Sequence, residues 1–224
     1  MQPTPPILEI TDLLLAPFGK RATYGADRLA IAPGDVIAID ANAALDSRQL
    51  LRVLATLERP EQGRFRFNGS DVDLDDYRRC LAVKRRIGFV VPDCAMISNR
   101  TIRENLLLTR FYYENDLSID LDETMTLLCK EAGLSDDLER RPSELNDSAL
   151  MKTIAIREMG KRPLLMLIDR PENFITPDDA IFNHLKNMVQ SKIAVVFFSN
   201  NKEMSDLGRR QLTLHGKAIR IGDL

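Results

Sequence analysis

Apolar residues along the chain follow three successive patterns. Residues 7–39 hold short runs of strand character, "ILEITDLLL" and "DRLAIAPGDVIAID", the second broken by a Pro33-Gly34 turn. Leu50, Leu51, Val53 and Leu54 then recur at helical spacing and predict a helix over roughly 48–58. In "GRFRFNGSDV", Phe65 and Phe67 alternate with basic residues, as in a half-buried edge strand. "RRIGFVVPD" reads as one more strand.

From about 100 to 160 the period becomes helical. Thr101 with Glu104 three positions on is a capping-box pattern. "DLDETMTLLCKEAGL" sets Met125, Leu128 and Cys129 on one face and stops at Gly133. "SALMKTIAIREMGKRP" stops at Gly160 and Pro163. The last third returns to "LLMLID" and "IAVVFFSN", continuous apolar runs suited to strands buried on both faces, and closes with a hairpin turning at Gly216. The expectation is a single α/β domain over 1–224, with a mixed sheet, an antiparallel β region at the N-terminus, a core of 1–94 and 161–224, and an inserted helical subdomain at about 95–160.

Composition narrows the function. With 44% hydrophobic and 29% charged residues, the 224-residue chain reads as soluble and globular. A net charge of −2 gives no electrostatic case for nucleic acid. Cys80, Cys94 and Cys129 lack metal or redox spacing, which predicts reduced thiols in the cytoplasm. "MQPTPPILEI" has no basic n-region, and no window approaches ~18 apolar residues, so direct membrane insertion is not expected.

The chemistry centres on "GDVIAIDANAALDSRQLLRVL", residues 34–54, which reads as strand, tight loop and helix. Such a connection holds phosphate when glycines let backbone N–H groups converge at a helix N-terminus and a lysine adds charge. Here the loop carries Ala41, Ala44, Asp46 and Ser47 instead.

The order of segments resembles the nucleotide-binding domain of ABC transporters over nearly the whole chain, which implies the P-loop NTPase-like ABC ATPase fold. "IGFVVPDCAMISNRTIRENL" resembles the Q-loop and the helix after it. "RRPSELNDSALMKTIAIRE" resembles the signature segment, "RPLLMLIDRPENFITP" the Walker B and D-loop, and "AVVFFSNN" the strand before the switch histidine. Its "PSEL" entry and helical region are most similar to ATPases of lipid-trafficking (Mce/Mla-type) transporters.

The departures fall on the positions where the resemblance implies function. Against the family's G-x-x-G-x-G-K-[ST]-[ST], residues 41–49 hold none of the three glycines. Ser47 stands at the lysine, Arg48 at the magnesium-binding hydroxyl and Gln49 beside it. Pro92 replaces the Q-loop glutamine, and the signature reads Leu145, Asn146, Asp147, Ser148, Ala149. Asp169 of Walker B is kept, but the catalytic glutamate position is Arg170, the D-loop aspartate position is Thr176 and the switch histidine position is Asn200. Phe18 falls about where the family stacks adenine.

Each exchange weakens ATP chemistry. Ser47 carries no charge for the β/γ-phosphates, and Asp46 within ~4 Å of a phosphate would oppose it by roughly 4 kcal/mol at a dielectric near 20. Asp46 to Gln49 is expected to form a capping box that closes the helix end with its own carboxylate. Asp147 is expected near the other anion-binding helix end. Arg170 cannot polarise a water as a carboxylate does, and Asp169 alone holds magnesium weakly. No cofactor is expected, or ATP and Mg²⁺ only weakly.

Bland readings accompany these. Arg170 is expected to pair with Glu172 or Asp178. Phe18 is expected to pack or to stand as a surface aromatic, and Asp169 to serve the scaffold rather than a metal. His184 and His215 are read as surface residues, and the run at 84–86 as a solvated face. Phe111-Tyr112-Tyr113 is read as core, with a groove for a permease helix as the alternative. The leading expectation is a pseudo-ATPase scaffold or regulatory subunit of an ABC transport complex. It would act at the inner face of the membrane, with an integral membrane permease or a second nucleotide-binding subunit, as homo- or heterodimer. The alternatives are a working ATPase with non-standard residues, and a free-standing structural or regulatory protein.

Overall fold

A computed structural model of the chain describes residues 5–15, 23–41, 43–176, 178–215 and 217–223. The elements in chain order are β1 (Leu8–Leu15), β2 (Tyr24–Ile31), β3 (Val36–Ala41), α1 (Ala44–Leu54), β4 (Gln62–Phe67), β5 (Ser70–Val72), α2 (Tyr77–Lys84) and β6 (Ile87–Val90). They continue with α3 (Ile102–Glu114), α4 (Glu123–Glu131), α5 (Asp147–Gly160), β7 (Leu165–Asp169), α6 (Ala180–Gln190), β8 (Ala194–Phe198), α7 (Lys202–Ser205), β9 (Arg210–His215) and β10 (Ala218–Asp223). They build a mixed sheet in the order β5-β4-β1-β2-β10-β9-β3-β8-β7-β6. One end is antiparallel through β5, β4, β1 and β2, and the other is parallel through β9, β3, β8, β7 and β6.

Alternation of side chains along the parallel strands separates two cores. Ile37, Ile39, Leu165, Leu167, Val196 and Phe198 face α1, where Leu50, Leu51, Val53 and Leu54 meet them. Ala38, Met166, Ile168, Val195 and Phe197 face the opposite way, against the helices from α3 to α7. Both faces are covered, so β7 and β8 are buried throughout and read as unbroken apolar runs.

Several sequence expectations need correction. The first helix begins at Ala44 and ends at Leu54 rather than spanning 48–58, because the polar turn Asp46-Ser47-Arg48 is already helical. The Phe65/Phe67 strand, β4, is not an edge; β5 pairs on its outer side and takes that place. Phe111-Tyr112-Tyr113 is not core: Tyr112 is 67% exposed, and Arg85, from the expected solvated run, stacks 3.5 Å over the half-buried Tyr113 ring. His184 is half-buried rather than on the surface. The final hairpin forms between β9 and β10, while its turn residue Gly216 lies outside the described residues.

The capping box predicted at Thr101 is present. Thr101 Oγ1 accepts from the Glu104 N–H at 3.2 Å, and Glu104 Oε2 accepts from the Thr101 N–H at 2.8 Å. Just behind it, the fully buried Asn105 amide bonds Ile97 on both its backbone groups and so ties the segment after β6 to α3. Among the described residues no helix is long and apolar enough to cross a membrane.

Candidate functional site

The ends of β3, β6, β7 and β8 bring most of the singled-out residues to one edge of the parallel sheet, where open α/β sheets form their crevices. Asp169 closes β7 with its side chain 1% exposed. Arg48, on the second turn of α1, reaches across to it. Its Nη2 lies 3.1 Å and its Nε 3.2 Å from Asp169 Oδ2. Its Nη1 lies 3.2 Å from Asp93 Oδ1, beside Pro92 in the segment after β6. One guanidinium therefore joins three segments, and its charge is shared between a buried carboxylate and an exposed one.

The second oxygen of Asp169 has a poorer environment. Oδ1 lies 3.7 Å from Arg170 Nε, and both atoms are buried without a hydrogen bond. Arg170 was expected to pair with Glu172 or Asp178, but its side chain turns to Asp169. Its left-handed backbone, φ 55°, bends the chain there, and its N–H donates to Phe198 O at 2.7 Å. Burial pushes the Asp169 carboxyl above the usual carboxylate range, and the Arg48 and Arg170 guanidiniums pull the other way without overcoming it.

Glu172 instead accepts from the Ser199 hydroxyl at 2.7 Å and from the Asn200 N–H at 2.9 Å. It fixes the loop after β7 to the loop after β8 and leaves the Asn200 side chain exposed.

The expected capping box at Asp46 to Gln49 does not form. Ala43 is the N-cap of α1, with no side-chain cap, and Asp46 sits in the first turn. Its carboxylate, 7% exposed, accepts the Tyr24 hydroxyl of β2 at 3.0 Å. Gln49 donates to Glu58 at 3.1 Å. The helix starts two residues before Asp46, too early for that side chain to cap it. Ser47 is fully buried, and its hydroxyl donates to Ala44 O at 2.8 Å. Ala41 ends β3 and Ala44 opens α1.

At the other predicted helix end, Asp147 is the first residue of α5 as expected, and Asn146 is its cap: the Asn146 Oδ1 accepts from the Ala149 N–H at 2.9 Å. Asp147 and Ser148 stand exposed in the first turn of α5. Among the described residues, Asn146 to Ala149 make no side-chain hydrogen bond or ion pair with Arg48, Asp93 or Asp169. Phe18 lies outside the described residues. Asp93 and Tyr24 were missed by sequence reasoning, and Glu172 was named there with a different partner. An acidic residue beside Pro92 was the one available hint for Asp93.

No family model matches the chain. It is 28% identical over 200 residues to a lipoprotein-releasing system ATP-binding protein of Rhodospirillum rubrum, covering 87% of this chain and 88% of the relative. A homonymous protein of Nitrobacter hamburgensis is 26% identical, with 87% and 85% covered. The fold matches a bacterial ABC transporter cassette solved as a dimer, with TM-score 0.79 at 17% identity, covering 97% of this chain and 98% of the other. In sequence the chain is related to the ATP-binding proteins of lipoprotein-releasing systems, and its fold is that of ABC transporter cassettes.

Proposed function

We propose that this chain is a pseudo-ATPase: a scaffold or regulatory subunit of an ABC transport complex that binds ATP weakly or not at all and does not hydrolyse it. The observation that carries this is the Arg48 guanidinium on Asp169. Magnesium does not fit these residues. It asks for near-octahedral oxygen ligands, and here Asp169 Oδ2 is held by a guanidinium, while the Ser47 hydroxyl is buried and bonded to its own helix. Arg48 supplies locally the positive charge that a metal would otherwise bring.

The vestigial positions are then Ala41, Ala44, Asp46, Ser47, Arg48 and Gln49 at the phosphate loop, with Phe18 for the base. Asn146, Asp147, Ser148 and Ala149 mark the signature, and Pro92, Arg170 and Asn200 the catalytic positions. The helices from α3 to α5, about 95–160, form the helical subdomain on an α/β core of 1–94 and 161–224. The relatives' names place ATP-binding proteins in a lipoprotein-releasing system, and a Macrolide export ATP-binding/permease protein of Syntrophobacter fumaroxidans is 23% identical over 206 residues. By that analogy the partners are a membrane permease and a second nucleotide-binding subunit, and the place of action is the cytoplasmic face of the membrane.

The second reading is a working ATPase with unorthodox residues, favoured by those same ATP-binding names. Calorimetric titration of the purified chain with ATP and Mg²⁺ separates the two. No binding at micromolar nucleotide and no melting shift supports the pseudo-ATPase. Micromolar binding, which at a hundredfold excess over Kd adds about 2.7 kcal/mol of stability, overturns it. Isolation with an integral membrane protein separates both from a free-standing role.

A further inference from the structure

A cavity of about 300 Å³ lies beside the Arg48 cluster but shares none of its charged residues. Its floor is Ile168 of β7 with Val195 and Phe197 of β8, and its walls include Phe182 and Leu185 of α6 and Met204 of α7. These groups are apolar and mostly buried, yet they leave open space. Protein interiors are close-packed, and a void lined by apolar atoms leaves those atoms without contact partners. An engineered apolar cavity of about 150 Å³ takes a benzene ring, so one twice that size suits a longer alkyl chain.

The rim differs in character from the interior. Lys186 and Arg209 are exposed and line the cavity, and the exposed Gln190 amide lies with them. Lys186 Nζ sits 4.4 Å over the Phe182 ring, which keeps the ammonium at the apolar wall. No carboxylate lines the cavity, and neither cation has an acidic partner among the described residues. Lys186 and Arg209 thus place two positive charges at the edge of an apolar cavity. A mostly apolar pocket with a few convergent polar groups is the usual form of a small-molecule site.

We propose that this cavity binds a single-chain aliphatic carboxylate, with the alkyl tail against Ile168, Phe197 and Met204 and the carboxylate between Lys186 and Arg209. The tail supplies burial and the headgroup sets orientation. The site does not depend on whether the phosphate loop takes ATP. Its walls include Pro171 and Ile175, which follow Arg170, and Met204, which follows Asn200, so the ligand would pack under both loops that Glu172 joins.

The test is calorimetric titration of the purified full chain with dodecanoate below its micellar concentration. Dodecyltrimethylammonium serves as a cationic probe of the same length. The expected result is saturable one-to-one dodecanoate binding in the micromolar range, at least tenfold tighter than the cationic probe. Lys186→Glu combined with Arg209→Glu, both at exposed positions, should weaken dodecanoate at least tenfold with unchanged circular dichroism. Absence of saturable dodecanoate binding, or equal binding of the cationic probe to the unaltered chain, overturns the proposal. A folded charge-reversed variant that binds dodecanoate undiminished also overturns it.

Discussion

Arg48 Nη2 lies 3.1 Å from Asp169 Oδ2 and joins residues 121 positions apart. The pair links the helix after β3 to the end of β7. Burial of Asp169 makes the pair energetically important: the carboxylate is 1% exposed and the arginine side chain 25%. A buried charge left without its partner costs far more than an exposed pair contributes.

Replacing Arg48 by alanine should therefore destabilise the fold by about 2–4 kcal/mol, toward the lower side of buried-pair losses because Arg170 stays nearby. Urea unfolding measures this. A double-mutant cycle with Asp169→Ala should show a coupling of at least about 1 kcal/mol. Additive losses would mean that solvent already screens the pair.

The phosphate loop offers a second prediction. Ala41→Gly, Ala44→Gly, Asp46→Gly and Ser47→Lys together should leave ATP·Mg²⁺ binding weak while Arg48 holds Asp169. Adding Arg48→Thr should raise affinity at least tenfold, about 1.4 kcal/mol. On the pseudo-ATPase reading neither variant hydrolyses ATP, since Arg170 and Asn200 remain. Equal affinity with and without the Arg48 change, by calorimetry, would show that the guanidinium is not the obstacle.

Asp169 also predicts a pH dependence. Its carboxyl is raised in the folded chain, first by burial, so the native state holds its proton more tightly than the unfolded state does. Its contribution to stability is then fully present below the ordinary carboxylate pKa and is lost as pH rises through the folded value. Relative to Asp169→Asn, the wild-type chain should gain stability as pH falls through that window. A parallel pair of stability curves from chemical denaturation would contradict this.

Thiol reactivity gives the fourth prediction. Cys129 is buried in the helical core, and burial pushes its pKa up to about 11. Cys94 is raised as well, mainly by burial, and its thiol donates to Phe89 O at 3.3 Å. At pH 8, roughly one Cys129 in a thousand would be thiolate. Ellman's reagent should react slowly with the native chain and promptly with all three free cysteines after denaturation. Fast native reaction of Cys129 would show that α4 opens readily.

Much of the fold was legible because its signals are local. β7 and β8 announced themselves as unbroken apolar runs, and Thr101 with Glu104 marked the start of α3 before any coordinates. Hydrophobic period and capping chemistry act within a few residues, so a linear reading captures them. The start of α1 was misplaced because Asp46, a good cap by type, proved less important than its place three residues into the turn.

The chemistry of the site was half visible. The residue types at 41–49, 92, 146–149, 170 and 200 were plain in the chain itself, because side-chain identity needs no coordinates. Which charge neutralises which was not. Arg170 had acidic neighbours in sequence yet turned to Asp169, and Glu172 went to Ser199 and Asn200. The guanidinium that stands on Asp169 comes from a helix 121 residues earlier. Ion pairing depends on distance and burial, and both are set only when the parallel strands align their ends.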